Sequence, residues 1–190
     1  MNDTTAKPIF TADIGGTSAR FGLFGIESGN PVPLRVETVP VREFPSFAAL
    51  LREAGEMGFP KSPAECSGAA FAVPGGIHDG RAMLPNVSWD ADVRDAGPWS
   101  ERFQLINDFE AQARACLTPV MNSAQTIFDG TPDPAQTIAV IGAGTGLGHS
   151  ALVPCGTGRV PMRSEGGHLP FPFFDAEELR YAEFVKNALA

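Results

Sequence analysis

Pro8-Ile9-Phe10-Thr11-Ala12-Asp13-Ile14-Gly15-Gly16-Thr17-Ser18-Ala19-Arg20-Phe21-Gly22-Leu23-Phe24 is the stretch that decides the fold. Residues 8–12 and 20–24 are short β-prone runs. What separates them centres on two glycines, so the segment reads as a β-hairpin closed by a Gly-Gly turn. A third strand is predicted over 34–39, after the turn Ser28-Gly29-Asn30-Pro31. Ser46 stands where an N-cap belongs, ahead of a helix with Phe47, Leu50, Leu51 and Ala54 that stops near Gly58 and Pro60. Residues 68–73 form a small-residue apolar strand ended by Pro74-Gly75-Gly76. His78-Asp79-Gly80 reads as a turn, and 85–98 as irregular or briefly helical.

The second half alternates. A buried strand is predicted over 103–106 and an alanine-rich helix over 108–117. An apolar strand over 137–141 is broken by Gly142-Ala143-Gly144-Thr145-Gly146-Leu147-Gly148, and strands at 150–153 and 159–162 follow. After a Gly166-Gly167 turn, Asp175 caps a last helix with Leu179, Phe184 and Val185 on its apolar stripe. Strands first, then strands interleaved with helices, predict an α/β chain. The two glycine-rich hairpins suggest two related sheet-based lobes facing each other.

Composition narrows the chemistry. In 190 residues, 43% are hydrophobic and 19% charged, which is globular rather than disordered. Asp+Glu 22 against Lys+Arg 14 speaks against nucleic acid or an anionic membrane as partner, since phosphate backbones require clustered positive charge. Cys66, Cys116 and Cys155 are scattered and odd in number, as in a reduced cytoplasmic protein. With only His78, His149 and His168 available, a Cys/His zinc site has little to draw on. The start, Met-Asn-Asp-Thr-Thr-Ala-Lys-Pro, has no signal-peptide order, and no run of apolar residues is long enough to span a bilayer.

Two familiar phosphate motifs fail. The third glycine of Gly-x-Gly-x-x-Gly is replaced by Leu147 or His149, depending on the start, and neither Lys7, Lys61 nor Lys186 adjoins a glycine as a P-loop demands. What remains is a hairpin turn whose backbone N–H groups and threonine hydroxyl can cradle phosphate oxygens, with Asp13 able to hold Mg²⁺ directly or through water. Plain tight turns are the alternative. A further set, Asn107-Asp108 with Ser164-Glu165-Gly166-Gly167-His168, offers two carboxylates, an amide and an imidazole. Such paired donors and acceptors suit a polyhydroxylated ligand, although Asn and Asp are also ordinary helix caps.

Asp13-Ile14-Gly15-Gly16-Thr17-Ser18-Ala19-Arg20, Leu105-Ile106-Asn107-Asp108-Phe109, the 142–148 glycine run and Ser164-Glu165-Gly166-Gly167-His168 resemble, in order and spacing, the bacterial glucokinases of the sugar kinase and actin superfamily. The resemblance implies a ribonuclease-H-like, actin-like ATPase fold in α/β lobes. Residues 1–117 would form a small lobe with a mixed β-sheet, and 118–190 the beginning of a second, incomplete lobe. It implies glucose or a related hexose as substrate, and ATP and Mg²⁺ as cofactors. Asp13, Gly15, Gly16, Thr17, Gly144, Thr145 and Gly146 would face the nucleotide phosphates, with Asp13 at the metal. Asn107, Asp108, Glu165 and His168 would contact sugar, with Asp108 as the base for the 6-hydroxyl.

The chain departs from the family pattern at Ser18, where Asn is commoner, and in the bulky Leu169-Pro170-Phe171-Pro172-Phe173-Phe174. It also stops at Ala190, before the family's further sugar-binding Glu, adenosine motif and closing small-lobe helix, so the resemblance implies an N-terminal portion. Two alternatives stay open. One is a kinase for another hexose. The other is a non-catalytic sugar-binding, assembly or regulatory module, possible as a homo-oligomer, which would expose apolar surface over 118–190.

Overall fold

The structure, a computed structural model, describes residues 6–84, 87–100, 102–131, 133–143, 146–169 and 172–188. Gly144 and Thr145, predicted to face phosphate, lie outside the described residues, as does the side chain of His168. The elements are β1 (Ile9–Ile14), β2 (Ser18–Glu27), β3 (Asn30–Pro40), α1 (Phe47–Glu56), β4 (Gly68–Val73), β5 (Ile77–His78), β6 (Arg81–Ala82), β7 (Ala91–Asp92), β8 (Gln104–Asn107), α2 (Asp108–Ala115), β9 (Ile138–Ala143), β10 (Leu147–Cys155), β11 (Gly158–Met162) and α3 (Ala176–Ala188).

A five-stranded sheet in the order β3-β2-β1-β4-β8 forms the centre. It is mixed: β1 runs antiparallel to β2 and parallel to β4, and β4 parallel to β8. The pleat sorts its side chains by face. Phe10, Ala12 and Ile14 of β1, with Ala19, Phe21, Phe71, Val73 and Leu105, turn to one side and are buried there with Phe47, Leu50 and Ala54 of α1, Phe59 and Trp99. Phe10 is in ring contact with Phe21, Phe59, Phe71 and Trp99. Burying this many aromatic rings in one cluster supplies most of the sheet's hydrophobic stabilisation. Ser46 caps α1 as predicted, its Oγ accepting the Ala49 N–H at 3.1 Å. The other face of the sheet carries a hollow of about 280 Å³, walled by Thr11, Asp13, Phe24, Val36, Ile106 and Ala111 among others.

The strands run longer than the sequence predicts. The β1–β2 ladder extends through Asp13↔Arg20 and Ile14↔Ala19, leaving only Gly15-Gly16-Thr17 for the turn, closed by the Gly15 N–H on the Ser18 carbonyl at 2.9 Å. β3 takes in Pro31 and Pro33, which an edge strand tolerates because one side of its backbone has no ladder partner. The β2–β3 turn is just Ser28-Gly29, both left-handed at φ 51° and 80°, the geometry a two-residue hairpin requires. The His78-Asp79-Gly80 turn behaves alike, with φ 49° at Asp79 and 74° at Gly80. It joins β5 to β6 in a small three-stranded sheet with β7. The described part of 85–98 holds β7 and two 3₁₀ turns, Val93–Asp95 and Gly97–Trp99.

β9, β10 and β11 form a second antiparallel sheet in the order β11-β10-β9. β10 begins at Leu147, inside the glycine run read as a break, because the ladder continues through Gly148↔Gly142 and Leu147↔Ala143. α2 ends at Ala115, two residues short of the predicted 117, where Cys116 caps it. α3 starts on the predicted cap, Asp175 Oδ1 accepting the N–H groups of Glu177 and Glu178 at 2.9 Å each. Its apolar stripe, however, is not buried: Leu179 and Phe184 are exposed, Phe184 at 68%, and Val185 is half-buried. None of the described helices is long and apolar enough to cross a membrane.

Candidate active site

The parallel strands β1, β4 and β8 end on the same edge of the central sheet, which is where α/β sheets offer a crevice for ligands. The register sets Asp13 opposite Ala72 and Ala72 opposite Ile106, so Asp13 stands one row below Asn107-Asp108. Asn107 is the last residue of β8 and the cap of α2. Its Oδ1 accepts the N–H groups of Phe109 at 3.0 Å and Glu110 at 3.1 Å, and its Nδ2 donates to the Gly75 carbonyl beyond β4 at 3.0 Å. Asn107 is buried, and these bonds occupy its oxygen and one of its two amide hydrogens and tie the end of β8, the start of α2 and the segment after β4 together. The cap role weighed for the Asn-Asp pair thus falls on Asn107. Asp108, half-buried at the first helical position, also accepts the Phe109 N–H at 2.8 Å.

Electrostatics link the separate motifs. Burial raises the Asp108 carboxyl above its ordinary range, and the negative charges of Asp13 and Glu165 push it the same way, against the lowering effect of the Phe109 N–H. Asp13 comes from the first glycine hairpin, Asp108 from the Asn-Asp motif, and Glu165 from the loop after β11. Asp108 thus feels charge from both of the other motifs.

The loop at 164–168 lies flat on β10. A Cβ on Gly167 would sit 1.7 Å from the Leu147 carbonyl oxygen, and one on Gly166 2.2 Å from Nε2 of His149. Close approach to backbone, rather than a left-handed turn, is what demands glycine at 167, whereas at 166 the neighbour is the end of the His149 side chain. Ser164 Oγ accepts the Gly166 N–H at 3.2 Å and lies 3.4 Å from His149 Nε2. Arg163, just ahead of the loop, donates from Nε to Glu110 Oε2 at 3.0 Å.

The second glycine hairpin has a use that sequence reasoning missed. Gly142 and Gly148 are cross-strand partners, and the ring of Phe109 packs onto both: a Cβ would meet it at 2.8 Å from Gly142 and 1.8 Å from Gly148. The signal lay in Gly142 and Gly148, which the hairpin pairs across its two strands and which clear one face there. Gly146, by contrast, faces open space. His149 and Glu110 were also passed over, and an ion pair between residues 53 positions apart leaves no local trace.

A mixed sheet of this order with a helix leaving the end of β8 is the architecture of an actin-like ATPase lobe, and solved structures agree. The crystal structure of glucokinase from an Antarctic psychrotroph matches 96% of this chain and 57% of its own, with a TM-score of 0.74 and 30% identity. The glucokinase from Balamuthia mandrillaris, solved in complex with glucose, has the same fold: TM-score 0.76 over all of this chain and 57% of its own, at 22% identity. The family model for glucokinase matches residues 10–190, and the chain belongs to the glucokinase family. Among curated relatives, the glucokinase of Marinobacter nauticus is 35% identical over 173 residues, 88% of this chain and 51% of the relative. That of Stenotrophomonas maltophilia strain K279a is 35% identical over 192 residues, 96% and 56%. The chain spans about half the length of the curated relatives it matches.

Proposed function

We propose that this chain supplies the sugar-contacting and phosphate-contacting half of a site that transfers the γ-phosphoryl group of ATP to the 6-hydroxyl of glucose. In this reading residues 1–117 are the small lobe and 118–190 the start of the large one. The observation that carries it is the register that puts Asp13 and Asn107-Asp108 together at the carboxyl ends of the parallel strands, with the charges of Asp13 and Glu165 both acting on Asp108. Asp108 orients the 6-hydroxyl and accepts its proton. A raised carboxyl suits that task, since a general base is a stronger proton acceptor the closer its pKa lies to the working pH. Asn107, whose Oδ1 caps α2 and whose Nδ2 donates one hydrogen to the Gly75 carbonyl, keeps its second amide N–H for a sugar hydroxyl beside Asp108. Glu165 and His168 bind further sugar hydroxyls.

In this reading Gly15 and Gly16 let the phosphates approach the β1–β2 turn, where the backbone N–H groups other than that of Gly15, which Ser18 holds, and the Thr17 hydroxyl would donate, and Gly144, Thr145 and Gly146 would do so from the second hairpin. Asp13 is exposed and offers hard oxygen donors, which fit Mg²⁺. Among the described residues no three His, Cys, Asp or Glu side chains form a metal cage, so Asp13 would share the ion with phosphate and water. When bound, Mg²⁺ neutralises charge on the transferring phosphoryl group.

Isothermal titration with glucose and with ATP·Mg, beside a coupled ADP assay, tests this. Glucose binding is expected for the chain, and Asp108→Asn is expected to keep that binding while cutting any turnover by about 10²-fold or more, the usual weight of a general base. Near-normal turnover in Asp108→Asn would remove Asp108 from the base role. Absence of binding to either ligand would end the reading for this chain.

A second reading has its own support. Ile127, Phe128, Leu169 and Phe174 are 84%, 89%, 74% and 86% exposed, the apolar surface that an assembly module completed by other protein would present.

A further inference from the structure

Glu110 is the carboxylate that the proposed chemistry does not use, and it is the most deeply buried acid at the site: its side chain is 8% exposed. Each of its oxygens takes one arginine. Oε1 accepts from Arg114 Nη2 at 3.2 Å, one helical turn along α2, and Oε2 from Arg163 Nε at 3.0 Å. Its own N–H is held by Asn107 Oδ1. Glu110 is therefore tied by its backbone to the cap that fixes Asp108, and by its side chain to the residue two places before Glu165. A buried carboxylate with one partner removed is left with uncompensated charge, so the bond to Arg163 is not interchangeable with solvent.

We propose that Glu110 is a positioning residue: through Arg163 it anchors the 164–168 loop to α2 and so sets Glu165 against Asp108. This rests on the sugar-binding reading given above. The loop's described backbone hydrogen bonds do not reach α2. The Gly166 N–H on Ser164 Oγ and the Leu169 N–H on the Gly166 carbonyl are internal to it, and its glycines lie on β10 rather than on the helix.

The test is a cycle of Glu110→Gln, Arg163→Met and the double variant in this chain, read by amide exchange at Gly166 and Leu169 and by glucose titration. Exchange at those two amides is expected to rise about tenfold in each single variant, the scale of one partly exposed charge-assisted hydrogen bond, while exchange in β1 and α1 stays as before. The double variant is expected to add nothing further, because both changes break the same bond. Glucose affinity should fall by about the same factor. Arg163→Met alters only the exposed partner, so it decides the matter if Glu110→Gln fails to fold. Unchanged loop exchange in Arg163→Met, or an additive rise in the double variant, overturns the proposal. If the unaltered chain does not bind glucose, the sugar reading is lost, and the exchange cycle still decides whether Glu110 anchors the loop.

Discussion

Asp108 is a carboxylate whose environment opposes its charge, and the cost has a definite pH signature. Its carboxyl is raised in the folded chain by burial and by Asp13 and Glu165. The folded state therefore binds more protons than the unfolded one between the ordinary Asp range and the raised value, and stability falls as pH climbs through that window. Asp108→Asn keeps an oxygen for the Phe109 N–H and removes the charge. It is expected to melt above the unaltered chain at pH 7, with the gap closing as pH drops below the ordinary carboxylate range. Thermal melts across that span check the sign, and an Asn variant that melts lower at neutral pH would contradict it. Asp92 shows the opposite case: hydrogen bonds from Arg94 hold its carboxyl down to about 2, so its stabilising contribution is full above the ordinary Asp range and is lost as pH falls from there to about 2.

At the level of elements, much was legible because the signals are local. The β1–β2 hairpin, α1 with its Ser46 cap, β4, β8 and the cap on α3 follow from alternation, capping residues and turn glycines. The longer strands were not, since a ladder bond at Gly148↔Gly142 or at Pro33 depends on a partner that propensity does not see. The site was legible as motifs and illegible as geometry. Nothing in Asn107-Asp108-Phe109 says that Phe109 fills the face cleared by Gly142 and Gly148. That packing predicts non-additivity. Gly148→Ala should lose about 1–3 kcal/mol through overpacking, and Phe109→Ala a similar amount through the gap it leaves around a half-buried ring. Together they should cost less than the sum, because the new methyl takes up space the ring vacates. Urea titration of the three variants measures the coupling, and simple additivity would refute the contact.

Across the whole molecule, α2 is the joint. It leaves the central sheet at β8, packs against β9, β10 and β11, and carries Asp108, which feels the charges of Asp13 and Glu165, Phe109, which packs on the second hairpin, and Glu110, which binds Arg163. The two sides of that joint are unequal. The central sheet buries Phe10, Phe21, Phe71 and Trp99 almost completely, whereas Tyr181 and Phe184 of α3 are 69% and 68% exposed. Surface of that kind drives association when nothing covers it, and it also leaves the backbone beneath open to cleavage. The chain by itself is therefore expected to bind a hydrophobic dye and to elute from gel filtration ahead of a monomer. Light proteolysis should cut within 118–137 and α3 before it touches β1–β4. Substituting Phe128 and Phe174 with serine should reduce both dye binding and association without lowering the melting point of the central sheet, because neither ring belongs to its core. A clean monomer without dye binding would mean that these rings find cover within the chain, and the unequal division proposed between 1–117 and 118–190 would then have no energetic basis.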